Sequence, residues 1–196
     1  FLTAYTPYQP QVSQGTLQAI FEYQSMVAAL TGLEVANASH YDGAASMAEA
    51  VTMAVSHGRE KRRKVLISPA VHPQYRAVVR TYTQGMRLTI TGDENPEAGL
   101  ADLVKQLDGD TAVLIVQSPN FFGQIEDLTG LADQVHAAGA LLCVAADPIA
   151  LGLLIPPGHQ GADIGVGEGQ SLGIPLSYGG PYLGFFATRK DFVRRM

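Results

Sequence analysis

The chain has 196 residues, 46% hydrophobic and 16% charged, with a formal net charge of −5. That suits one domain with a sizeable core and argues against nucleic acid as a partner, since phosphate binding needs clustered cations. No apolar run of about 18 residues marks a membrane span, nothing reads as a signal peptide, and the lone Cys143 permits no internal disulfide, which is compatible with a reducing cytoplasm.

Residues 1–15 show neither helical nor strand periodicity. Pro7 and Pro10 are expected to hold them as an extended arm from which Tyr5 and Tyr8 project, over their own domain or toward a neighbouring subunit. Residues 16–196 read as one domain. Leu17, Ile20, Phe21, Gln24, Val27, Ala28 and Leu30 recur at helical spacing, with Ser13 as candidate cap and Gly32 as stop. A second helix is predicted from Asp42-Gly43 to His57. Ser46 and Glu49 stand at capping-box spacing, and Met47, Ala48, Val51, Ala54 and Val55 make the apolar face. Its first turn, Gly43-Ala44-Ala45-Ser46, is small and uncharged. Such a turn admits an anion to the free N–H groups, although small residues also open helices that bind nothing.

The basic run Arg59, Lys61, Arg62, Arg63 and Lys64 reads as a solvated turn. Beyond it the pattern alternates: strands over 65–68, 87–91, 112–117 and 141–145, and helices over 72–83, 100–107 and 128–138. A short apolar turn over 149–154 follows, then strands over 162–166 and 183–187 bracketing a glycine-rich loop. Runs such as VLI, VLIV and LLCV suit strands covered on both faces. The fold class is therefore α/β, a mainly parallel sheet with helices on both faces. The chain opens on Phe1 and closes in Arg194-Arg195-Met196, and is expected to be a piece of a longer protein.

In such sheets, ligands bind beyond the carboxyl ends of the strands. Those loops offer His72, which either stacks on a flat cofactor or is merely exposed, and Asn120 in SPNFFG, which binds a ligand or closes its own turn. They also offer Asp147, which pairs with a protonated ring nitrogen or caps the next segment. The last loop carries Glu168, Gln170, Ser171 and Tyr178 but no lysine, histidine or cysteine. GVGEGQ does not match a dinucleotide fingerprint, no Walker lysine follows a glycine loop, no nucleophile elbow is present, and the histidines lack metal-ligand spacing. Cys143, in an apolar strand, reads as a packing residue. Lys61, Lys64, Lys105 and Lys190 are the only lysines, and none lies in these loops.

TAYTPYQPQVSQG, the FEYQSMVAALTGLEVANAS helix, YDGAASMAEA, SPNFFGQIED and GVGEGQSLGIPLSYGGPYLGFFATR together resemble the glycine cleavage system P-protein family. The similarity runs through essentially the whole chain and is nearest to subunit 1 of the two-subunit bacterial form. It implies the large domain of an aspartate-aminotransferase-type, pyridoxal-phosphate-dependent transferase fold. In the catalytic half of this family, a His-Lys pair precedes an Ile-Pro-Gly-rich run, and that lysine forms the Schiff base. Laying Ile174-Pro175 and Gly179-Gly180-Pro181 on the run puts Gln170 in the place of the lysine and Gly169 in that of the histidine. Glutamine has no amine able to form an imine.

By the same resemblance, Gly43, Ala44, Ala45 and Ser46 match the phosphate-cradling helix start, and Asp147 matches the partner of the pyridine nitrogen. The chain then resembles a degenerate half with no catalytic residue and no covalently bound cofactor, inherited from a duplication and assembled as a heterotetramer. Pyridoxal phosphate would lie on subunit 2, where glycine is decarboxylated and the aminomethyl group passed to the lipoyl arm of the H-protein. Tyr5, Tyr8, Ser13 and Gln14 are the candidates for supporting that site across the interface. The alternatives are a purely structural subunit, or an enzyme holding pyridoxal phosphate non-covalently, which Gln170 disfavours.

Overall fold

In the computed structural model, residues 6–58 and 61–196 are described; Tyr5 and Arg59 lie outside them. Strands β2 (Lys64–Ile67), β3 (Thr89–Thr91), β4 (Thr111–Ser118), β5 (Leu141–Ala146) and β6 (Ile164–Glu168) run parallel. β7 (Gly184–Thr188) returns antiparallel beside β6, and β1 (Val35–Ala36) is antiparallel beside β7. The sheet order is β1-β7-β6-β5-β4-β2-β3.

Alternation along the strands divides the core. Val65, Ile67, Val113, Ile115, Cys143, Ala145, Ile164, Val166 and Phe186 turn toward α2 (Gly43–His57) and α3 (Pro73–Thr83). Leu66, Leu114, Val116, Leu142 and Val144 turn toward α4 (Leu100–Val104) and α5 (Leu131–Ala137). On that second face α1 (Gln14–Thr31) closes the end at β7, through Val27, Leu33, Phe185 and Ala187. Cys143 is buried, and burial, then Asp163, pushes its thiol far above the usual range. No helix among the described residues is long and apolar enough to cross a membrane.

Gly32 ends α1 in the left-handed conformation at φ 67°, as its position predicts. Local chemistry differs from expectation in four places. Pro10–Val12 forms a 3-10 turn, so the arm is not extended throughout, and Ser13 occupies the N-cap position of α1 without a side-chain bond. Asp42, not Ser46, caps α2: its Oδ1 accepts from the Ala45 N–H at 2.6 Å, and the Ser46 hydroxyl donates back to the Asp42 carbonyl. Along α1 only Val27 and Thr31 are buried, and Phe21 is 68% exposed, so the amino-terminal half of the helix buries no apolar face. The basic run is not simply solvated. Arg62 donates to the carbonyls of Thr111 and Ala138, Arg63 to that of Met86, and Lys64 to that of Gln106 and to Asp108, tying down loops at the amino ends of the strands.

Candidate functional site

The carboxyl ends of β4, β5 and β6 meet the start of α2 and the start of α3, as strand-end geometry predicts. A cavity of about 110 Å³ lies there, lined by His72, Tyr75, Gln117, Ala145, Ala146, Asp147, Gly167 and Glu168. A shallower cleft continues past Asp42, Ala44 and Tyr182.

Glu168, the last residue of β6, organises this region. Its Oε2 accepts from the Gly43 N–H at 3.0 Å, at the first residue of α2. Its Oε1 accepts from the N–H groups of Gln170 (3.0 Å) and Leu183 (2.9 Å), the two ends of the glycine-rich loop. One carboxylate thus fastens three segments. Tyr75 covers the same helix start so closely that a Cβ on Gly43 would collide with its hydroxyl. Burial, then Glu168, Asp42 and Asp147, raise this phenol above its ordinary range, so it stays protonated at neutral pH.

Other candidates are engaged locally. His72 caps α3, its Nδ1 accepting from the Gln74 N–H, and its ring is held between Tyr75 (5.2 Å) and Phe121 (4.9 Å). The Asn120 Oδ1 closes its own turn by accepting from the N–H groups of Phe122 and Gln124. Asp147 caps the turn at Ala150–Gly152, accepting from the N–H groups of Ile149 and Ala150. Gln170 opens a 3-10 turn and donates its amide to the Ile174 carbonyl. In the same loop Ser177 (φ 42°) and Tyr178 (φ 57°) hold left-handed backbone, and Tyr178 is fully exposed.

Over residues 1–196 the chain matches the family model of the glycine cleavage system P-protein. It belongs to that family. A Desulforamulus reducens protein named "Probable glycine dehydrogenase (decarboxylating) subunit 1" is 59% identical to it over 100% of this chain and 44% of its own length. A crystal structure of a glycine decarboxylase (P-protein) of the glycine cleavage system, in inhibitor-bound form, superposes with TM-score 0.87 and 50% identity over 98% of this chain and 43% of that one. A sphingosine-1-phosphate lyase from Burkholderia pseudomallei shares the fold, with TM-score 0.72 and 15% identity over 95% of this chain and 48% of its own. The chain spans less than half the length of these proteins. The large-domain α/β fold expected of a pyridoxal-phosphate-dependent transferase is the fold found.

The chain's own residues do not fit a covalently held pyridoxal phosphate. The cavity opens into the adjoining cleft of about 460 Å³, but no lysine lines either, and the N–H of Gly43 is taken by Glu168. All four lysines lie at the far end of the sheet: Lys61 and Lys64 lead into β2, Lys105 follows α4, and Lys190 follows the antiparallel β7. Of the residues singled out by sequence, Gly43, His72, Asp147 and Gln170 gather around the Glu168 cluster, whereas Tyr8, Ser13 and Gln14 do not line the cavity. Glu168 and Tyr75 carry the geometry although sequence pattern assigns them no role. Glu168 stood out only as one of the polar side chains of the last strand-end loop, since nothing in the sequence shows its carboxylate reaching the start of α2.

Proposed function

We propose that the chain is part of subunit 1 of a glycine dehydrogenase (decarboxylating), the half that binds no pyridoxal phosphate. The cofactor and the chemistry then belong to subunit 2, which decarboxylates glycine and delivers the aminomethyl group to the lipoyl arm of the H-protein in the cytoplasm. The observation that carries this reading is Gln170. It stands where the family resemblance puts the Schiff-base lysine, its amide is spent on the Ile174 carbonyl, and every lysine is at the opposite end of the sheet. The role that remains is to complete the partner's active site and support it. The apolar side chains left in solvent suit such an interface: Tyr8 and Val12 are 85% and 77% exposed on the arm, and Phe21 is exposed on α1. Tyr178 adds a second anchor. Holding two non-glycine residues at positive φ costs about 1–2 kcal/mol each, which fits a loop shaped for contact.

Titrating the full-length chain with pyridoxal phosphate, alone and mixed with subunit 2, tests the proposal through imine absorbance and mapping of the borohydride-fixed label. The chain alone stays colourless and the mixture labels only the partner. A label on Lys61, Lys64, Lys105 or Lys190 overturns it. A purely assembling subunit is the second reading, favoured by the fact that none of Tyr8, Ser13 and Gln14 lines the cavity. Under that reading Tyr5→Ala plus Tyr8→Ala leaves the assembled enzyme's turnover unchanged, whereas active-site support requires it to fall.

A further inference from the structure

The geometry points to Glu168 as a built-in anion: its carboxylate takes the seat at the start of α2 that a ligand phosphate would need, and by the same bonds locks the glycine-rich loop to that helix. The inference rests on reading this chain as the cofactor-free half, and deepens it by naming the group that closes the site. Two backbone segments apart from its own, at Gly43 and Leu183, converge on one side chain that also accepts from the nearby Gln170 N–H. A free helix start with small residues is an anion seat because its N–H groups lack partners. Here the first N–H is satisfied by Glu168 and the third by the Asp42 Oδ1. A second anion arriving at Gly43 is repelled by two resident carboxylates, and the Tyr75 ring fills the space over the glycine.

Packing keeps the carboxylate in place. A Cβ at Gly184 would collide with Asp42 and Ser46, and one at Gly43 would stand 3.0 Å from the Glu168 backbone nitrogen, so the end of β6 and the start of β7 lie close against the start of α2. The end of β6 therefore sits beside the helix start, and Glu168 reaches Gly43 from it. The bonds to Gln170 and Leu183 make the loop's two ends part of the same unit. An anion bound from solution would leave that loop free to open; a tethered one does not.

The test uses the full-length chain, wild type and as Glu168→Ala and Glu168→Gln, with amide hydrogen exchange read at Gly43, Gln170 and Leu183 while inorganic phosphate is titrated against chloride at constant ionic strength. In Glu168→Ala all three amides exchange faster, by about tenfold or more, as expected for buried donors that lose a charged acceptor. Phosphate then slows Gly43 again and raises the Tm. Glu168→Gln keeps a carbonyl for two donors but turns an NH₂ toward the third, so Gly43 is the amide released. Wild type shows no phosphate protection at Gly43. Protection of wild-type Gly43 by phosphate, or unchanged exchange in the variants, overturns the inference. Should Glu168→Ala fail to fold, Glu168→Gln and the wild-type titration still decide. A borohydride label on this chain would defeat the cofactor-free reading, while exchange at wild-type Gly43 tests the role of Glu168 separately.

Discussion

Replacing Gly43 with alanine sets two effects against each other. Alanine is the better helix former by about 0.5–1 kcal/mol, so propensity alone predicts a gain at this first residue of α2. The surroundings oppose it. An added Cβ would stand 2.9 Å from Tyr75 Cζ and 3.0 Å from the Glu168 backbone nitrogen, and nearer still to the Tyr75 hydroxyl. Neither neighbour yields easily: the Glu168 backbone ends β6, and the Tyr75 ring is packed on His72. Overpacking of this kind costs about 1–3 kcal/mol. Loosening the Gly43 bond to the Glu168 carboxylate adds about 1.5–3 kcal/mol more. The net is a loss of roughly 2–5 kcal/mol, read as a lower urea midpoint at unchanged m-value. In a Tyr75→Ala background the same substitution costs at least about 1 kcal/mol less, since half of the collision is gone. A raised midpoint for Gly43→Ala, or an identical penalty with and without Tyr75, would refute the packing argument.

Three further outcomes follow from the same contacts. Asp42→Ala removes the side-chain cap of α2 and lowers stability by about 1 kcal/mol in urea unfolding, whereas Ser46→Ala, which only back-bonds within the helix, costs less. Asp93 accepts from both Arg76 (2.8 Å) and Arg80 (2.6 Å); burial alone would raise its carboxyl, but the two guanidiniums outweigh it and the net shift is downward. The pair therefore stabilises above the unfolded carboxyl range near pH 4 and is lost as pH falls below it. Asp93→Asn should accordingly cost about 1–3 kcal/mol at pH 7 and progressively less below pH 4, and a pH-independent penalty would contradict the pairing. Gln170→Lys alone gains no reducible imine with pyridoxal phosphate, because Glu168 still holds the helix start; a yellow, borohydride-fixable variant would show that the lysine was the only thing missing.

Much of this was legible in the residues, for reasons that also mark where legibility stops. Strands β2, β4 and β5 are covered on both faces, so they read as unbroken apolar runs whatever their partners. β1 is two residues long and exists only because β7 runs beside it, and no periodicity survives in two positions. The basic residues before β2 looked solvated because charge pattern says nothing of carbonyls at distant loop ends. Arg62 reaches one 49 residues away and another 76 residues away. The absence of an amine from the last loop could be seen directly. What replaces the ligand could not, since Glu168 meets Gly43 across 125 residues of chain. A missing lysine alone leaves two states open: an empty seat awaiting an anion, or a seat closed from within. Only the second gives the loop of residues 169–183 a fixed position without any ligand, as the contact role proposed for that loop requires. The positive φ of Ser177 and Tyr178 belongs to the same logic, because a costly turn persists only when both ends of its loop are held.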